Sequence, residues 1–415
     1  MNSLLQLDEL EIFNPSSFAK NGYPFEEWER LRKEAPVFWC EKTDGPPFWA
    51  ITKHEDICHI AKRPDEFLSA PMVIIPNDLS GVQPPETLLS MDNPKHRPLR
   101  KLISNRFTPN GIRKFHHNID TIARKIIEDL LAECGSDREG ECDFVEKIAA
   151  PLPIAVIAWL LGVPQEDWDL LYDWTNRIIG AGDPDFAVEG EDANQSANAA
   201  IIETFTYFGQ LIDEKMKNPE DDLVSHLASA EVDGVKLDRN DLLGFCALIM
   251  AAGNETTRNA TTGGMLALIE NPEQLRRLKS EPGLLDSAIE EVVRWTSPVI
   301  HFARTAAQDC EIRGQKIKEG DALGLFYPSA NRDEDVFEAP NSFRIDRKPN
   351  RHIGFGIGEH FCAGAHVARL EIRMAYQYLL PRIEEIELVG PPARLRSTFV
   401  GGIKRLPIRF KVAQC

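Results

Sequence analysis

The amino-acid sequence predicts a mainly α-helical protein with smaller β-sheets, and three observations support this fold class. Apolar residues recur at helical spacing through most of the 415-residue chain. One long apolar helix is predicted over Asp241–Asn271, and short strands are predicted near Val37–Thr52, Val299–Leu325 and Leu395–Val412. No repeat and no linker rich in Pro, Gly or Ser divides the chain, so we expect residues 1–415 to form a single domain.

The first helix with candidate site residues is predicted within Met91–Arg100. His96 and Arg100 are one helical turn apart and therefore face the same way. Between residues 95 and 125 Asp120 is the only acid, although the formal net charge of the chain is −18. The net charge argues against general nucleic-acid binding, and the basic stretch is either a solvated helix face or a docking site for an acidic partner.

The predicted helix Asp241–Asn271 would span roughly 45 Å. Polar groups at membrane depth are costly, so a membrane span is disfavoured by Asn254, Glu255, Arg258 and Asn259. The hydroxyl of Thr256 can bond the carbonyl of Ala252 and bend the helix. Thr256 could instead be an ordinary helix threonine and Glu255 a solvated residue, but an ionisable side chain in an apolar helix favours a functional site.

A further helix is predicted within Leu284–Trp295. The spacing of Glu291 and Arg294 places both side chains on one face, where they can pair. Such a pair is usually a surface ion pair, so by itself it indicates little about function.

The segment Phe355–Gly364 (Phe-Gly-Ile-Gly-Glu-His-Phe-Cys-Ala-Gly) places Cys362 at the start of a helix predicted over Ala363–Leu380. A helix N-terminus favours an anion, and a cysteine that binds iron must do so as thiolate. The glycines permit positive φ and close approach of the backbone to a flat ligand, and Phe355 would exclude water from the sulfur. We therefore predict a haem-thiolate site.

Three other interpretations of this segment compete. A phosphate loop would need Lys followed by Ser or Thr after the glycines, and the sequence has neither there. His360, Cys362 and His366 could bind zinc, but a structural site needs a fourth ligand. A buried inert thiol is the commonest fate of a lone cysteine, although glycines on both sides of Cys362 would be unusual for one.

Taken together, these segments resemble the cytochrome P-450 superfamily. Phe355–Gly364 matches its cysteine-loop signature at every fixed position, and the resemblance runs from about Val37 to the C-terminus. It implies the cytochrome P-450 fold, with haem b between the long oxygen-binding helix and the helix that follows the cysteine loop.

The resemblance also implies a role for each candidate residue. Cys362 is expected to bind the iron, and Thr256 and Glu255 are expected to be the alcohol and the acid of proton delivery. Glu291 and Arg294 are expected to form a structural triad with Arg347. The other expected haem contacts are His96, Arg100, Arg304, Phe355, His360 and Gly364.

The substrate-contact regions of the family correspond to a largely apolar set of residues. His301 is the polar member, and it could bond a substrate oxygen or be satisfied by backbone groups. We expect a terpenoid, steroid or fatty-acid-like substrate, since residues 351–410 look similar to bacterial monoterpene hydroxylases and the oxygen helix resembles that of sterol and lipid side-chain hydroxylases. The set is Met72, Val73, Ile74, Leu248, Ala251, Ala252, Val299, Ile300, His301, Phe399 and Val400.

The implied activity is insertion of one oxygen atom from O₂ into a C–H bond of a hydrophobic small molecule. Electrons from NAD(P)H are expected to arrive through a separate ferredoxin reductase and ferredoxin, with Arg97, Lys101 and Arg106 as the docking patch. The alternatives are a peroxide-driven peroxygenase and a non-catalytic haem-binding sensor. Neither needs the pair of Glu255 and Thr256, so the presence of that pair favours the monooxygenase.

The cellular setting is also suggested by the sequence. The eight cysteines show no disulfide-framework spacing, and the N-terminus shows neither a secretory signal nor a hydrophobic anchor. We expect a cytoplasmic monomer with reduced thiols and no membrane anchor.

Overall fold

The computed structural model describes residues 7–41, 43, 45–76, 86–135 and 138–414, and helices predominate in them. In chain order the helices are α1 (Pro15–Asn21), α2 (Phe25–Glu34), α3 (His54–Ala61), α4 (His96–Ser104), α5 (Pro109–Arg113), α6 (His116–Ala132), α7 (Pro151–Leu161), α8 (Trp168–Ile179), α9 (Ala193–Lys217), α10 (Leu223–Ser229), α11 (Arg239–Glu270), α12 (Pro272–Ser280), α13 (Leu285–Thr296), α14 (Tyr327–Ala330) and α15 (Ala365–Leu379).

The strands form small sheets. The largest has five strands in the order β1-β2-β10-β7-β3, in which only the β2–β10 pair is parallel. A second sheet has the order β11-β14-β4, and β5–β6, β8–β9 and β12–β13 are two-stranded. The strands are β1 (Val37–Cys40), β2 (Phe48–Ile51), β3 (Phe67–Leu68), β4 (Glu139–Asp143), β5 (Glu231–Val232), β6 (Val235–Lys236), β7 (His301–Ala306), β8 (Cys310–Ile312), β9 (Gln315–Ile317), β10 (Ala322–Phe326), β11 (Ile383–Leu388), β12 (Ala393–Arg394), β13 (Ile403–Arg405) and β14 (Pro407–Val412).

The long helix predicted from the sequence is α11, and it has 32 residues. Its N-terminus is capped by Asp238, whose side chain accepts a hydrogen bond of 2.8 Å from the backbone N–H of Asp241. The helix packs against α7, α8, α9, α13 and α15. At Gly253 a Cβ atom would lie 2.3 Å from Cδ1 of Ile157 on α7, so this glycine lets the side chain of Ile157 pack directly against the backbone of α11.

The main hydrophobic core surrounds α11 and includes the buried faces of α6, α7, α13 and α15. Two smaller apolar clusters pack on the five-stranded sheet. Burial of these apolar surfaces is the chief favourable term in folding. It also fixes α11 against the loop that precedes α15, which is where the candidate site lies.

The strands expected in the three predicted regions are present. The sequence did not indicate β3, β4, β5, β6, β11 or β12. Strand β4 has the polar sequence Glu-Gly-Glu-Cys-Asp and pairs with β14. This pairing joins segments far apart in the chain, so the local pattern carries little signal for it.

Candidate functional site

A central cavity lies between α11 and the cysteine loop that precedes α15. It contains about 1670 Å³ of space not occupied by atoms, including the part open to solvent. Ala251, Ala252 and Thr256 line it from α11, and Cys362 and Gly364 line it from the opposite side. The two segments with the clearest sequence signatures therefore face one another across a single space.

Thr256 makes the hydrogen bond expected from its position. Its Oγ1 donates to the backbone oxygen of Ala252 over 2.8 Å. The helix nevertheless continues without interruption through this turn. The hydroxyl is thus held against the helix backbone at the edge of the central cavity.

The cysteine loop is shaped by two glycines with positive φ, Gly356 at 70° and Gly358 at 79°. A Cβ at Gly358 would also lie 2.3 Å from the carbonyl oxygen of Ala61. The backbone N–H of Cys362 donates to the oxygen of Phe355 over 2.9 Å, which closes the loop. The helix itself begins at Ala365 rather than directly after the cysteine.

The surroundings of the Cys362 sulfur have opposing effects on the pKa of its thiol. Burial raises the pKa of the thiol above its usual value, while the backbone N–H of Gly364 and the guanidinium groups of Arg100 and Arg369 act in the opposite direction. Arg369 lies over the ring of Phe355, with its Cζ 4.4 Å from the ring centroid. Coordination to a metal ion would displace the thiol proton outright.

Four cationic or imidazole side chains lie together near one end of the cavity. The rings of His96 and His360 stack with centroids 4.3 Å apart, and the His360 ring nitrogen Nε2 lies 3.0 Å from Oγ of Ser69. Burial lowers the pKa of His96, and it lowers the pKa of His360 to about 3. Arg100 donates to the oxygen of Phe361 over 2.5 Å, and Arg304 donates to a neighbouring backbone oxygen over 2.7 Å.

This end of the site fits carboxylate groups. Both ring nitrogens of His96 are buried without a hydrogen-bond partner. Arg304 is only 4% exposed and makes no ion pair with any residue that the structure describes. Buried cations are normally paired, so these groups indicate that an anion completes the site.

The cysteine wall fits a flat macrocycle. A Cβ at Gly364 would have no protein atom within 4 Å, so the glycine leaves open the space beside the sulfur of Cys362. Haem b requires a thiolate ligand, apolar surfaces and partners for two carboxylates. The cavity has a thiol on one wall, apolar surfaces around it and partners for two carboxylates at one end. The residues present therefore fit this cofactor.

Glu291 contacts both of the arginines named from the sequence. Arg294 donates to its two carboxylate oxygens over 2.8 Å each, and Nε of Arg347 donates to them over 3.0 and 3.2 Å. Glu291 and Arg294 are 0% exposed and Arg347 is 4% exposed. The two guanidinium groups also bond backbone oxygens of Asn331 and of residues 338–342, which ties this irregular segment to α13.

The carboxylate of Glu255 is buried and held by its own helix. Arg258 and Asn259 both donate to its Oε1, the latter over 3.0 Å, while Oε2 has no partner. Arg258 also donates to Oδ1 of Asn176 on α8 over 2.6 Å. Glu255 lines the central cavity beside Thr256, so the predicted acid and alcohol lie next to the same space.

The structure corrects part of the predicted substrate pocket. Leu248, Ala251, Ala252, Val299, Phe399 and Val400 line the central cavity, whereas Met72, Val73, Ile74, Ile300 and His301 do not.

Both ring nitrogens of His301 are satisfied by backbone groups. Nε2 accepts from the N–H of Ile75 over 3.0 Å, and Nδ1 lies 2.8 Å from the oxygen of Thr398. Residues 72–74 lie outside because their backbone runs along β7, where the oxygen of Val73 accepts from the N–H of Ala303 over 2.8 Å. Ile300 is buried in the core beneath the sheet.

Several cavity residues were not found from the sequence. They are apolar and come from the segments on either side of α4 and from α4, α7, α8, α11 and β7. An apolar side chain does not distinguish a cavity residue from a core residue. These residues are Leu88, Leu89, Ile103, Phe107, Ile157, Ile179, Ile249 and Phe302.

The three residues of the predicted docking patch have different surroundings. Arg97 is exposed and pairs with Glu359 of the cysteine loop, and Arg106 lies 3.5 Å from the carboxylate of Asp221. Lys101 is exposed and makes no ion pair within the described part of the chain.

A surface groove is formed by α5, α6, α13 and α15 beside the cysteine loop. It adds Arg369 and Arg373, which the sequence did not single out and which pair with Glu290 and Asp286 of the same groove. It is lined by Pro109, Ile112, Arg113, His116, Asp286, Ile289, Glu290, His366, Arg369, Leu370 and Arg373.

In the described ranges no group of three or more His, Cys, Asp or Glu side chains is placed to hold a metal ion. No helix within those ranges is long and apolar enough to cross a membrane. The prediction of an N-terminus without an anchor concerns residues 1–6 in part, and these residues lie outside the described ones, as does Cys415.

Comparison with known proteins agrees with this geometry. The sequence model of the family described as Cytochrome P450 matches residues 187–400. The chain is 40% identical to cytochrome P450-terp of Pseudomonas sp over 97% of both sequences. It is 39% identical to the methyl-branched lipid omega-hydroxylase of Mycobacterium tuberculosis, over 92% of this chain and 89% of the relative.

The same fold is found in a solved structure, that of CYP268A2 from Mycobacterium marinum in complex with pseudoionone. The TM-score is 0.90 at 33% identity, with 98% of this chain and 99% of the other covered. Likeness of this extent in sequence and structure confirms the fold predicted from the sequence. The chain belongs to the cytochrome P450 family, and it is a monooxygenase that uses haem b.

Proposed function

We propose that this monooxygenase hydroxylates a C–H bond of a small hydrophobic molecule of the terpenoid, steroid or fatty-acid-like class. The observation that carries the proposal is that Thr256, Cys362 and a largely apolar wall share one cavity. An apolar lining with few polar groups favours a hydrophobic ligand. The names of two relatives, cytochrome P450-terp and a methyl-branched lipid omega-hydroxylase, and the pseudoionone bound to CYP268A2 support the same substrate range.

In this proposal the cysteine loop and the cationic end of the cavity hold the cofactor. Cys362 would bind the haem iron as thiolate, and Phe355, which lines the same cavity, would shield the sulfur from water. His96, Arg100, Arg304 and His360 would hold the propionates, and Gly364 and Phe355 would leave room for the macrocycle. When bound, haem b supplies the reductive activation of O₂.

The protein supplies the protons. Thr256 is fixed by its bond to Ala252, which leaves its oxygen free to accept a hydrogen bond from water in the cavity. Glu255 is the neighbouring acid, and its free Oε2 is the atom that exchanges protons with that water. Arg258 and Asn259 hold the other oxygen in place.

Electrons are proposed to come from NAD(P)H through a separate ferredoxin reductase and an acidic ferredoxin. The docking face proposed here joins Lys101 and Arg97 on α4 to the groove beside the cysteine loop, in which Arg113 and His366 lie. Arg100 links α4 directly to this loop through the oxygen of Phe361, so a partner on this face lies close to Cys362.

The proposed setting is a single-domain monomer in the cytoplasm. None of the seven described cysteines forms a disulfide, which supports a reducing compartment. Gel filtration of the holoprotein measures the oligomeric state.

The first test is the ferrous-CO difference spectrum of the purified holoprotein, followed by titration with terpenes, steroids and fatty acids. A thiolate-type Soret band and a low-to-high-spin shift with one of these classes are expected. A colourless protein, or a haem protein without the thiolate band, would contradict the proposal. A thiolate band with no spin shift for any of the three classes would contradict the substrate assignment alone.

The role of Thr256 is tested with Thr256→Ala. We expect NAD(P)H consumption to continue while the yield of hydroxylated product per NAD(P)H falls several-fold, because water is no longer oriented beside Glu255. Thr261→Ala is the matched control, since Thr261 makes the same 2.8 Å bond to the carbonyl four residues back but does not line the cavity. Equal coupling in both variants would rule out the assigned role.

A further inference from the structure

Arg369 on α15 is a cationic side chain beside the cysteine loop to which the proposed function assigns no role of its own. Its Cζ lies 4.4 Å from the centroid of the Phe355 ring, which is within the range of a cation–π contact. Phe355 is in turn bonded to Cys362, whose backbone N–H donates to the carbonyl oxygen of Phe355 over 2.9 Å. The guanidinium group therefore lies over a residue that is in direct contact with the cysteine.

The position of this guanidinium group is fixed by Glu290 on α13. Nε of Arg369 donates to Oε1 over 2.6 Å, and Nη2 donates to Oε2 over 2.9 Å. A bidentate pair of this kind holds the guanidinium plane in one orientation. Nη1 donates to the backbone oxygen of Ala365 over 3.3 Å, in the first turn of α15. Each of the three nitrogens thus has an acceptor, and the plane is held over Phe355.

A further hydrogen bond keeps the carboxylate of Glu290 in place. The N–H of Gly354 donates to Nδ1 of His352 over 3.2 Å, so Nε2 of His352 carries the proton and donates to Oε2 of Glu290 over 2.9 Å. Burial raises the pKa of Glu290, but the hydrogen bonds from Arg369 and His352 outweigh it and lower the pKa to about 2. The carboxylate is therefore ionised at ordinary pH, and it joins α13, α15 and the segment that enters the cysteine loop.

The charge of Arg369 acts on the sulfur of Cys362. Arg100 and Arg369 are the two guanidinium groups that favour negative charge on this sulfur. Arg100 lies at the end of the cavity that fits the carboxylates of the cofactor, and those carboxylates would oppose its charge. Arg369 does not line that cavity, so the cofactor would not compete for its hydrogen bonds.

A cation near the sulfur has a defined effect on a thiolate-bound iron. Reduction of the iron from the ferric to the ferrous state adds one negative charge, which the iron and the sulfur share. A positive charge close to the sulfur stabilises the reduced form by Coulomb attraction. Groups that surround a metal ligand tune the reduction potential of the metal in this way.

We propose that Arg369, held over Phe355 by Glu290, is a positioning residue that raises the reduction potential of the haem iron through the sulfur of Cys362. This inference rests on the proposed function, in which Cys362 binds the iron. The electron comes from the ferredoxin and converts ferric to ferrous iron, and no bond to the protein forms or breaks. Arg369 thereby favours transfer of the first electron without touching the substrate or the reacting atoms.

The first test is the reduction potential of the holoprotein, titrated with chemical mediators in the absence of ferredoxin. Arg369→Met keeps an unbranched side chain against Phe355 but removes the charge, so we expect the potential to become more negative. Arg373→Met is the matched control, because Arg373 lies one helical turn further along α15 and pairs with the exposed carboxylate of Asp286. Its potential is expected to equal that of wild type. A wild-type potential in Arg369→Met, or equal shifts in both variants, would overturn the proposal.

Variants of the ion pair separate an effect of charge from a disturbance of the loop. Glu290→Gln can still accept a hydrogen bond from Arg369 but no longer balances its charge, so we expect the potential to equal or exceed that of wild type. Arg369→Lys keeps the charge without the bidentate pair, and its potential should lie between those of wild type and Arg369→Met. A more negative potential in Glu290→Gln would contradict the proposal, because a disturbed loop would then explain the shifts in both variants.

A second readout is the C–O stretching frequency of the ferrous-CO complex. A sulfur that donates more electron density to the iron lowers this frequency, so we expect a lower value in Arg369→Met than in wild type and Arg373→Met. An unchanged frequency would overturn the proposal, because the charge would then not act through the sulfur. Failure of the proposed function is distinguishable, since wild type itself would then lack the thiolate-type Soret band.

Discussion

At the scale of single residues, His301 shows what a local sequence pattern can and cannot indicate. It is the one polar residue in an apolar segment, which suggested contact with a substrate. In the structure its ring joins two backbone segments that are distant in the chain, at Ile75 and Thr398. The alternative that backbone groups satisfy the ring is the one observed, and only the tertiary structure could decide between the two.

His301 should make stability depend on pH. Burial lowers its pKa to about 4 from a usual value of 6.5, so the folded ring stays neutral while the unfolded ring is protonated below about pH 6.5. The stability that the neutral ring contributes is therefore present above pH 6.5 and is lost as the pH falls towards 4. The total loss is on the order of 3 kcal/mol of unfolding free energy. Denaturant unfolding between pH 4 and 8 measures it.

The matched variants for this prediction are His301→Gln and His116→Gln. Gln at position 301 keeps an acceptor for the N–H of Ile75 but does not titrate, so the loss of stability below pH 6.5 should be smaller than in wild type. His116 is exposed, and its replacement should leave the pH profile unchanged. Identical profiles for wild type and His301→Gln would show that the buried ring does not control this transition.

At the scale of elements, the sequence predicted what is local and missed what depends on distant partners. The long helix α11, the Thr256–Ala252 bond and the pair of Glu291 and Arg294 follow from helical spacing, and all three are present, although α11 begins two residues earlier and ends one residue earlier than predicted. Residues 72–74 were misplaced because the backbone of Val73 is fixed by β7, more than two hundred residues later. Helical periodicity carries no information about such a pairing.

The contacts of Glu291 should be essential for the segment that leads to the cysteine loop. Glu291→Gln leaves two buried guanidinium groups without a counter-charge, which costs about 3–5 kcal/mol of unfolding free energy. We also expect loss of the thiolate-type band in the ferrous-CO spectrum, because Arg347 no longer holds residues 338–342 against α13.

Asp286→Asn on the same helix is the control for this prediction. Asp286 pairs with Arg373, but its side chain is 77% exposed, and exposed pairs contribute at most about 1 kcal/mol. A Glu291→Gln variant as stable as Asp286→Asn, with an intact thiolate band, would show that the triad does not support the loop.

At the scale of the whole molecule, the arrangement of charge matters more than its total. The chain has a formal net charge of −18, yet basic side chains gather around the cysteine loop. The linear stretch from 95 to 125 indicated part of this surface. It could not show that Glu359 and Asp221 come from elsewhere to pair with Arg97 and Arg106, or that α15 adds Arg369 and Arg373. The single domain over residues 1–415 stays a prediction.

If the docking face binds an acidic ferredoxin, the rate of electron transfer should depend on ionic strength. Lys101→Glu and Arg113→Glu place negative charge on this face, so each should raise the KM for an acidic ferredoxin several-fold and reduce the dependence of the rate on salt. Arg97→Gln should have a smaller effect, because Arg97 is already paired with Glu359.

Lys125→Glu is the control, since Lys125 belongs to the same linear stretch but pairs with Asp129 on α6. The substrate-induced spin shift should be unchanged in all four variants, because these side chains do not line the central cavity. If Lys125→Glu raised the KM as much as Lys101→Glu, the interaction would depend on overall charge and not on this face.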